Sequence, residues 1–318
     1  MSEPPANVTT ITEFLLLGIP DDQALQTLCV TLFLLMYLAA LAGNLLIITL
    51  TTMDQRLQAP MYFFLRNLSL IDICYISVTV PKSILNSLAH SRSISFVGCA
   101  AQVFLVIVFA GTEFALLLVM SYDRYAAICH PLHYEAIMSR GACVQMVMAS
   151  WFSGCMYGSL HVAGTFSVRF CRSNVVHQFF CDVPSLLALA CPGDQVLESA
   201  IIIGSCGFGF VCFILMVVSY GHIFSTVLRI PSAQGRFKAF STCLPHLTVV
   251  TLFLFSGIIT YLAKNLTSSL FLKVIISVLY TVLPPTLNPL IYSLRNRDMQ
   301  KAVGKILARS RNIFHLNM

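Results

Sequence analysis

The chain has 318 residues, of which 57% are hydrophobic and only 10% are charged. Soluble domains contain roughly 45–50% apolar and about 25% charged residues, so this composition excludes a soluble domain and predicts an integral membrane protein. The formal net charge of +6 could suggest a nucleic-acid partner. In a membrane protein, however, the positions of the basic residues decide more than their total, and we expect no nucleic-acid binding.

The apolar segments number seven and are joined by short loops, which predicts an all-α membrane protein, a seven-transmembrane helix bundle over residues 25–295. An N-terminal segment, residues 1–24, precedes the bundle, and residues 296–318 follow it. Residues 1–24 lack a basic stretch followed by an apolar one, so we expect no cleavable signal peptide. The basic and apolar residues alternate over 297–309, which predicts a short amphipathic eighth helix on the inner membrane face.

The basic residues predict the orientation of the bundle. With the N-terminus extracellular and the C-terminus cytoplasmic, the cytoplasmic side holds an excess of Lys and Arg, as the positive-inside rule requires. The sequon Asn7-Val8-Thr9 would then lie outside the cell, and we expect Asn7 to be glycosylated. A second sequon begins at Asn265, also on a predicted outer loop.

The first three spans contain the few polar residues found at membrane depth. In the first span, Gly43 and Asn44 predict close helix packing and an interhelical hydrogen bond. Asp72 in the second span and Glu113 in the third are acids in apolar surroundings, where function is the first hypothesis and a structural hydrogen bond the alternative. If the two carboxyl groups meet, they need a cation or a shared proton. The third span ends in Asp123-Arg124-Tyr125, which could also be an ordinary interfacial charge cluster.

Four cysteines, Cys99, Cys171, Cys181 and Cys191, are predicted to lie on the oxidising side of the membrane. They permit three pairings, and the sequence alone does not choose among them. His177 in the same loop invites a metal-site reading, but the spacing matches no compact zinc motif, so we expect no metal site.

Several motifs together resemble the odorant (olfactory) receptor family of the rhodopsin-like G-protein-coupled receptors. They are Pro60–Asp72, Ser121–Tyr134, the long cysteine-rich loop of residues 167–198, Lys238–His246 and Pro284–Asn296 with its Asn288-Pro289-x-x-Tyr292 sequence. The chain departs from the family pattern at Pro245, where Ser is usual, and at Leu254, where Tyr is usual. The first departure affects the geometry of the sixth span, and the second makes the expected pocket less polar.

The resemblance implies a receptor, not an enzyme, that binds a small, weakly polar volatile odorant in the outer half of the bundle and activates a heterotrimeric stimulatory G protein to raise cAMP. The residues that it assigns to G-protein coupling and activation are Asp123, Arg124, Tyr125, Tyr220, His246, Asn288, Pro289 and Tyr292. It places Asp72, Glu113 and Asn288 in an ion pocket where sodium can bind, with no other cofactor. It also implies disulfides Cys99–Cys181 and Cys171–Cys191.

The ligand pocket is predicted from helix phase and family position, and its residues are mostly small or aliphatic, as an apolar ligand requires. They are Val106, Ile107, Ala110, Gly111, Gly204, Phe208, Leu254, Gly257, Ile258, Tyr261, Val278 and Thr281.

Three other functions remain as alternatives. A rhodopsin-like receptor for a non-odorant small molecule would share every motif above. A cation or proton transporter could use Asp72 and Glu113 as a relay, but the chain shows neither internal repeats nor paired broken helices. An intramembrane enzyme would need an activated nucleophile or paired catalytic acids, and none emerges.

Overall fold

In the computed structural model, the described residues are 11–18, 22–89, 91–171, 173–191, 193–266, 270–295 and 299–304. Most of them are helical, and large apolar side chains face outward along the helices, as lipid contact requires. The long helices are α1 (Gln23–Met53), α2 (Pro60–Leu88), α3 (Phe96–Cys129), α5 (Arg140–Phe166), α7 (Val196–Leu228) and α8 (Ala233–Leu266). The shorter ones are α4 (Tyr134–Ile137), α6 (Val183–Leu187), α9 (Leu270–Thr281) and α10 (Leu283–Arg295).

Five helices of the described chain are long and apolar enough to cross a membrane, namely α1, α2, α3, α7 and residues 233–257 of α8. A bent pair within α9 and α10 makes six if it counts as one span. The sequence predicted seven. Helix α5 is not among the five. It is long enough to cross a membrane, but its glycines, serines and His161 make it less apolar than they are.

The predicted seventh span consists of two helices, because α9 ends at Thr281 and α10 begins at Leu283 with a bend of 45° between them. Pro284 and Pro285 lie in the first turn of α10 and have no N–H to donate back into α9, which explains the break. By contrast, α8 continues through Pro245.

The expectation of an all-α protein is wrong in one detail, a small three-stranded sheet at one end of the bundle. Strand β1 (Glu13–Leu16) pairs antiparallel with β2 (Ser93–Ser95) and parallel with β3 (Val175–Val176). Phe14 and Leu16 of β1 are buried while Glu13 is exposed, the alternation expected of a strand with one covered face. We call this end of the bundle the sheet end and the opposite one the Arg124 end.

Helix α3 is the centre of the bundle and packs against α2, α5, α7 and α8. Glycines make its contact with α5 close: a Cβ atom on Gly154 would lie 2.1 Å from Thr112 Oγ1, and one on Gly158 would lie 2.7 Å from Val108 Cγ2. Small residues at such a seam let two helix backbones approach. The position of α5 against α3 is therefore set by these residues.

The predicted roles of Gly43 and Asn44 are confirmed at the contact of α1 with α10. A Cβ atom on Gly43 would lie 2.9 Å from Pro289 Cβ, and Asn44 Nδ2 donates to the Pro285 carbonyl at 2.9 Å. Of the predicted eighth helix, only residues 299–304 belong to the described chain, and they are helical with Met299 and Ala302 buried.

Candidate functional site

An apolar cavity of about 220 Å³ lies toward the sheet end of the bundle. Its walls come from α2, α3, α5, α8 and α9, and the loop that leads into α6 closes it from above. The residues that line it are Tyr75, Val103, Val106, Ile107, Ala110, Tyr157, His161, Cys181, Asp182, Val183, Pro184, Phe253, Gly257 and Tyr280. A cavity of this kind, apolar with a few convergent polar groups, is the usual form of a small-molecule site.

Four of the predicted pocket residues, Val106, Ile107, Ala110 and Gly257, line this cavity. Gly111 instead faces α5, where a Cβ atom on it would lie 3.5 Å from the Gly154 Cα atom.

Leu254, Val278 and Thr281 belong to the packed interior rather than to the cavity wall. Leu254 and Val278 are half-buried and pack against the core of the bundle. Thr281 is fully buried and donates its hydroxyl to the Ser277 carbonyl at 2.6 Å. The side chains of Ile258 and Tyr261 lie outside the described part of the chain, as does Asn7.

The prediction that Gly204 and Phe208 face the cavity is wrong. The Phe208 side chain is 63% exposed on the outer surface of the bundle, and nothing lies within 4 Å of a Cβ atom built on Gly204. The two residues are one helical turn apart and so share a face of α7, and that face points away from α3.

Several cavity residues escaped the sequence analysis, above all Tyr157 and His161 of α5 and Tyr280 of α9. Tyr157 and His161 are four residues apart and so share one face of α5, and their rings lie 4.7 Å apart. Two polar aromatic residues on one face of a membrane helix are a signal that could have identified them.

The roof of the cavity is held by a disulfide and by side-chain hydrogen bonds. Cys99 at the start of α3 is bonded to Cys181, and the Cys181 N–H donates to Gln102 Oε1 at 2.8 Å. Asp182 accepts from the Ser185 N–H at 3.1 Å, which caps α6, and from the Tyr280 hydroxyl at 3.0 Å. The roof is thereby attached to both α3 and α9.

A second disulfide, Cys171–Cys191, closes the loop beside the cavity, and both pairings in the structure are those that the family resemblance implied. Outside the disulfide, Arg169 pairs with Asp194 at 2.8 Å, and this hydrogen bond lowers the pKa of the Asp194 carboxyl. The Arg169 side chain is 68% exposed and that of Asp194 is 24% exposed, so solvent screens the pair.

Below the cavity, Asp72, Glu113 and Asn288 meet in the buried interior. Asn288 Nδ2 donates to Asp72 Oδ2 at 3.1 Å and lies 3.3 Å from Glu113 Oε1. The Asn288 Oδ1 atom has no hydrogen-bond partner among the described residues. Carboxylate and amide oxygens are the donors that a hard cation prefers, so this oxygen set fits a sodium ion.

At the Arg124 end, Asp123 holds Arg124 in a salt bridge whose Arg124 Nε–Asp123 Oδ2 distance is 2.9 Å. Asp123 Oδ1 also accepts from the Tyr134 hydroxyl at 2.7 Å. Burial, and then the negative charge of Asp123, raise the pKa of Tyr134, so its hydroxyl stays protonated and remains a donor. This network joins α3 to α4.

A second connection at this end joins α3, α7 and α8 through His246. The His246 Nε2 atom lies 2.9 Å from the Leu117 carbonyl, which can only accept, so Nε2 carries the proton. The Nδ1 atom of the neutral ring then accepts from the Tyr220 hydroxyl at 2.6 Å.

Three further residues were assigned to activation, and each lies in different surroundings. Tyr292 is buried, and its hydroxyl has no hydrogen-bond partner among the described residues. Pro289 packs against Gly43. The Tyr125 hydroxyl lies 3.0 Å from His130 Nε2 at the surface.

The geometry thus defines a helical membrane protein in which α3 connects a small-molecule cavity, a buried acid pair and an Asp–Arg pair. A family profile described as olfactory receptor matches residues 33–310. The human proteins Olfactory receptor 14A16 and Olfactory receptor 14L1 are each 53% identical to this chain, over 95% and 94% of it and over 97% and 92% of their own lengths. Gorilla Olfactory receptor 1G1 is 46% identical over 95% of the chain and 96% of its own length.

The chain belongs to the olfactory receptor family. Members of this family are G-protein-coupled receptors, multi-pass proteins of the plasma membrane, and are not enzymes.

Proposed function

We propose that this receptor binds a small, weakly polar odorant in the cavity beneath Cys181–Pro184 and signals through a stimulatory G protein to raise cAMP. The observation that carries the proposal is the position of the cavity on α3. Val106, Ile107 and Ala110 line it, and the same uninterrupted helix continues to Asp123 and Arg124 at the opposite end. A ligand that contacts α3 and α8 in this cavity touches two of the three helices that His246 connects.

In this proposal the bundle has seven spans, with α5 and the broken α9–α10 pair among them. The sheet end is extracellular together with residues 1–24 and a glycosylated Asn7, and the Arg124 end faces the cytoplasm. Residues 296–318 form the amphipathic eighth helix and the tail. The excess of basic residues at the Arg124 end supports this orientation.

The resting state has α8 held to α3 by His246 and Arg124 held by Asp123. An odorant shifts the equilibrium by the difference in its affinity for the two states, and the active state opens the inner face to the G protein. Tyr125, Tyr220, Asn288, Pro289 and Tyr292 take part in this change by family analogy. A sodium ion or a proton on Asp72 and Glu113 stabilises the resting state.

The test is a cAMP assay against an odorant panel in cells that deliver the receptor to their surface. The proposal predicts responses that disappear in the Arg124→Ala variant at equal surface expression. Ligand responses that persist without Arg124 would contradict it.

A receptor for a non-odorant small molecule is the second candidate. The cavity wall includes the polar side chains of Asp182 and His161, and these favour a ligand more polar than a typical odorant.

A further inference from the structure

A buried polar cluster joins α5 to α7 beside the cavity. The His161 Nδ1 atom lies 2.6 Å from Glu198 Oε1, and the Nε2 atom lies 3.2 Å from Ser205 Oγ. The Glu198 side chain is fully buried, and its Oε2 atom has no hydrogen-bond partner among the described residues. An acid and a histidine buried within a membrane bundle are costly, and such groups are commonly functional.

A glycine of α5, Gly164, leaves space for the Glu198 side chain of this cluster. A Cβ atom on Gly164 would lie 2.0 Å from Glu198 Oε2, so a larger residue there would have to displace the carboxylate. The Glu198 carboxylate then fixes the His161 ring by accepting from its Nδ1 atom. The Tyr157 ring packs edge-on against the same imidazole and fixes it from a second side.

His161 is the member of the cluster that lines the cavity, whereas Glu198 and Ser205 stand behind it. With Nδ1 committed to Glu198, the imidazole has only the Nε2 atom left for another group. Its present partner, the Ser205 hydroxyl, is at a long distance for a hydrogen bond of this type.

We propose that His161, positioned by Glu198, recognises the hydroxyl group of a small alcohol, which replaces Ser205 at Nε2. A hydroxyl both donates and accepts, so it satisfies Nε2 in either protonation state of the imidazole, as Ser205 does. The cavity of about 220 Å³ accommodates a small alcohol, with its hydrocarbon part against Val106, Ile107 and Ala110.

This inference rests on the proposed ligand cavity but not on the G protein, so binding and signalling are measured separately. Heptan-1-ol, benzyl alcohol and cyclohexylmethanol are compared with their methyl ethers and parent hydrocarbons. Binding is read as the thermal shift of the purified receptor, and signalling as cAMP in cells. We expect each active alcohol to be at least about tenfold more potent than its methyl ether, because the ether has no O–H to donate and so cannot replace the Ser205 hydroxyl at an accepting Nε2 atom.

Variants separate recognition from folding. His161→Phe should remove the preference for alcohol over ether, and His161→Gln, which keeps a hydrogen-bonding group, should retain part of it. Ser205→Ala removes the competing hydroxyl and should increase alcohol potency, by about threefold, an effect that a purely structural role would not produce. The matched control is Ser159→Ala, since Ser159 is exposed and bonds only to the Cys155 carbonyl of its own helix.

The outcomes are distinguishable. Alcohols that stabilise the purified receptor without raising cAMP would overturn the proposed signalling and leave the recognition by His161 standing. Ethers or hydrocarbons that signal as strongly as the alcohols would overturn the recognition by His161 and leave the proposed signalling standing. No thermal shift with any alcohol, or an equal loss for all compounds in His161→Phe, would overturn the inference.

Discussion

At the residue scale, His246 carries the most specific prediction about signalling. Its ring accepts from Tyr220 of α7 and donates to the Leu117 carbonyl of α3. Both partners are buried, so a variant without the ring leaves two polar groups unpaired in the resting state. Such groups cost about 1–3 kcal/mol each.

His246→Phe should therefore raise basal cAMP, by about fivefold or more, because 1 kcal/mol shifts an equilibrium by about that factor. The measurement is cAMP without ligand, normalised to receptor at the cell surface. Thr248→Ala is the control, since the Thr248 hydroxyl is exposed and bonds only to its own helix. An unchanged or lower basal signal from His246→Phe would contradict the role.

The acid pair gives a second prediction at this scale. If a sodium ion bound by Asp72 and Glu113 stabilises the resting state, replacing sodium by a large organic cation should raise basal cAMP in the native receptor. In Glu113→Gln this sensitivity should disappear, because the carboxylate that attracts the ion is gone. The control is Glu13→Gln, which changes an exposed acid of β1 and should keep the sodium sensitivity. Equal sodium dependence in both variants would exclude the site.

The sequence predicted these buried polar residues more accurately than it predicted the residues of the ligand pocket. Asp72, Glu113 and Asn288 stand out because a polar side chain in an apolar segment is costly anywhere in lipid. The His161–Glu198 pair was missed because Glu198 lies in the first turn of α7, at the edge of the predicted outer loop of residues 167–198, where an acidic residue is ordinary.

At the scale of elements, the seam between α3 and α5 determines where the cavity wall stands. Gly154→Ala places a Cβ atom 2.1 Å from Thr112 Oγ1 and 2.6 Å from the Val108 carbonyl, so α5 must move away from α3. Overpacking of this kind costs about 1–3 kcal/mol.

We expect Gly154→Ala to lower both the thermal stability of the purified receptor and its amount at the cell surface. Gly141→Ala makes the same change in the same helix, where nothing lies within 4 Å, and should have neither effect. The result that would refute the seam is equal stability of the two variants.

The helices also show where sequence reasoning fails. Almost every residue of α7 is apolar, so its sequence has no periodicity from which to choose an inward face, and Gly204 and Phe208 were assigned to the wrong one. On α3, by contrast, Glu113 and Arg124 identify the inward face, and Val106, Ile107 and Ala110 follow from the helical phase. The short strand β1 is set by contacts with β2 and β3, which its own sequence does not reveal.

At the scale of the whole molecule, the membrane protein and its family followed from composition and from motifs spread over the chain. The count of seven spans stays a prediction, because α5 is less apolar than the five helices that qualify and the last predicted span is divided into α9 and α10 at its prolines. The central proposal is that a ligand beneath the roof at the sheet end controls the Asp123–Arg124 end through α3 and α8.

The most direct test is the cAMP response to an activating ligand in three receptors at equal surface expression: the native chain, Ala110→Phe and Arg124→Ala. Phe at position 110 fills the cavity, so the ligand should no longer act at concentrations that saturate the native receptor. Arg124→Ala should bind the ligand, measured as a thermal shift, without raising cAMP. An unchanged response in Ala110→Phe would contradict the cavity, and an unchanged response in Arg124→Ala would contradict its connection to the G protein.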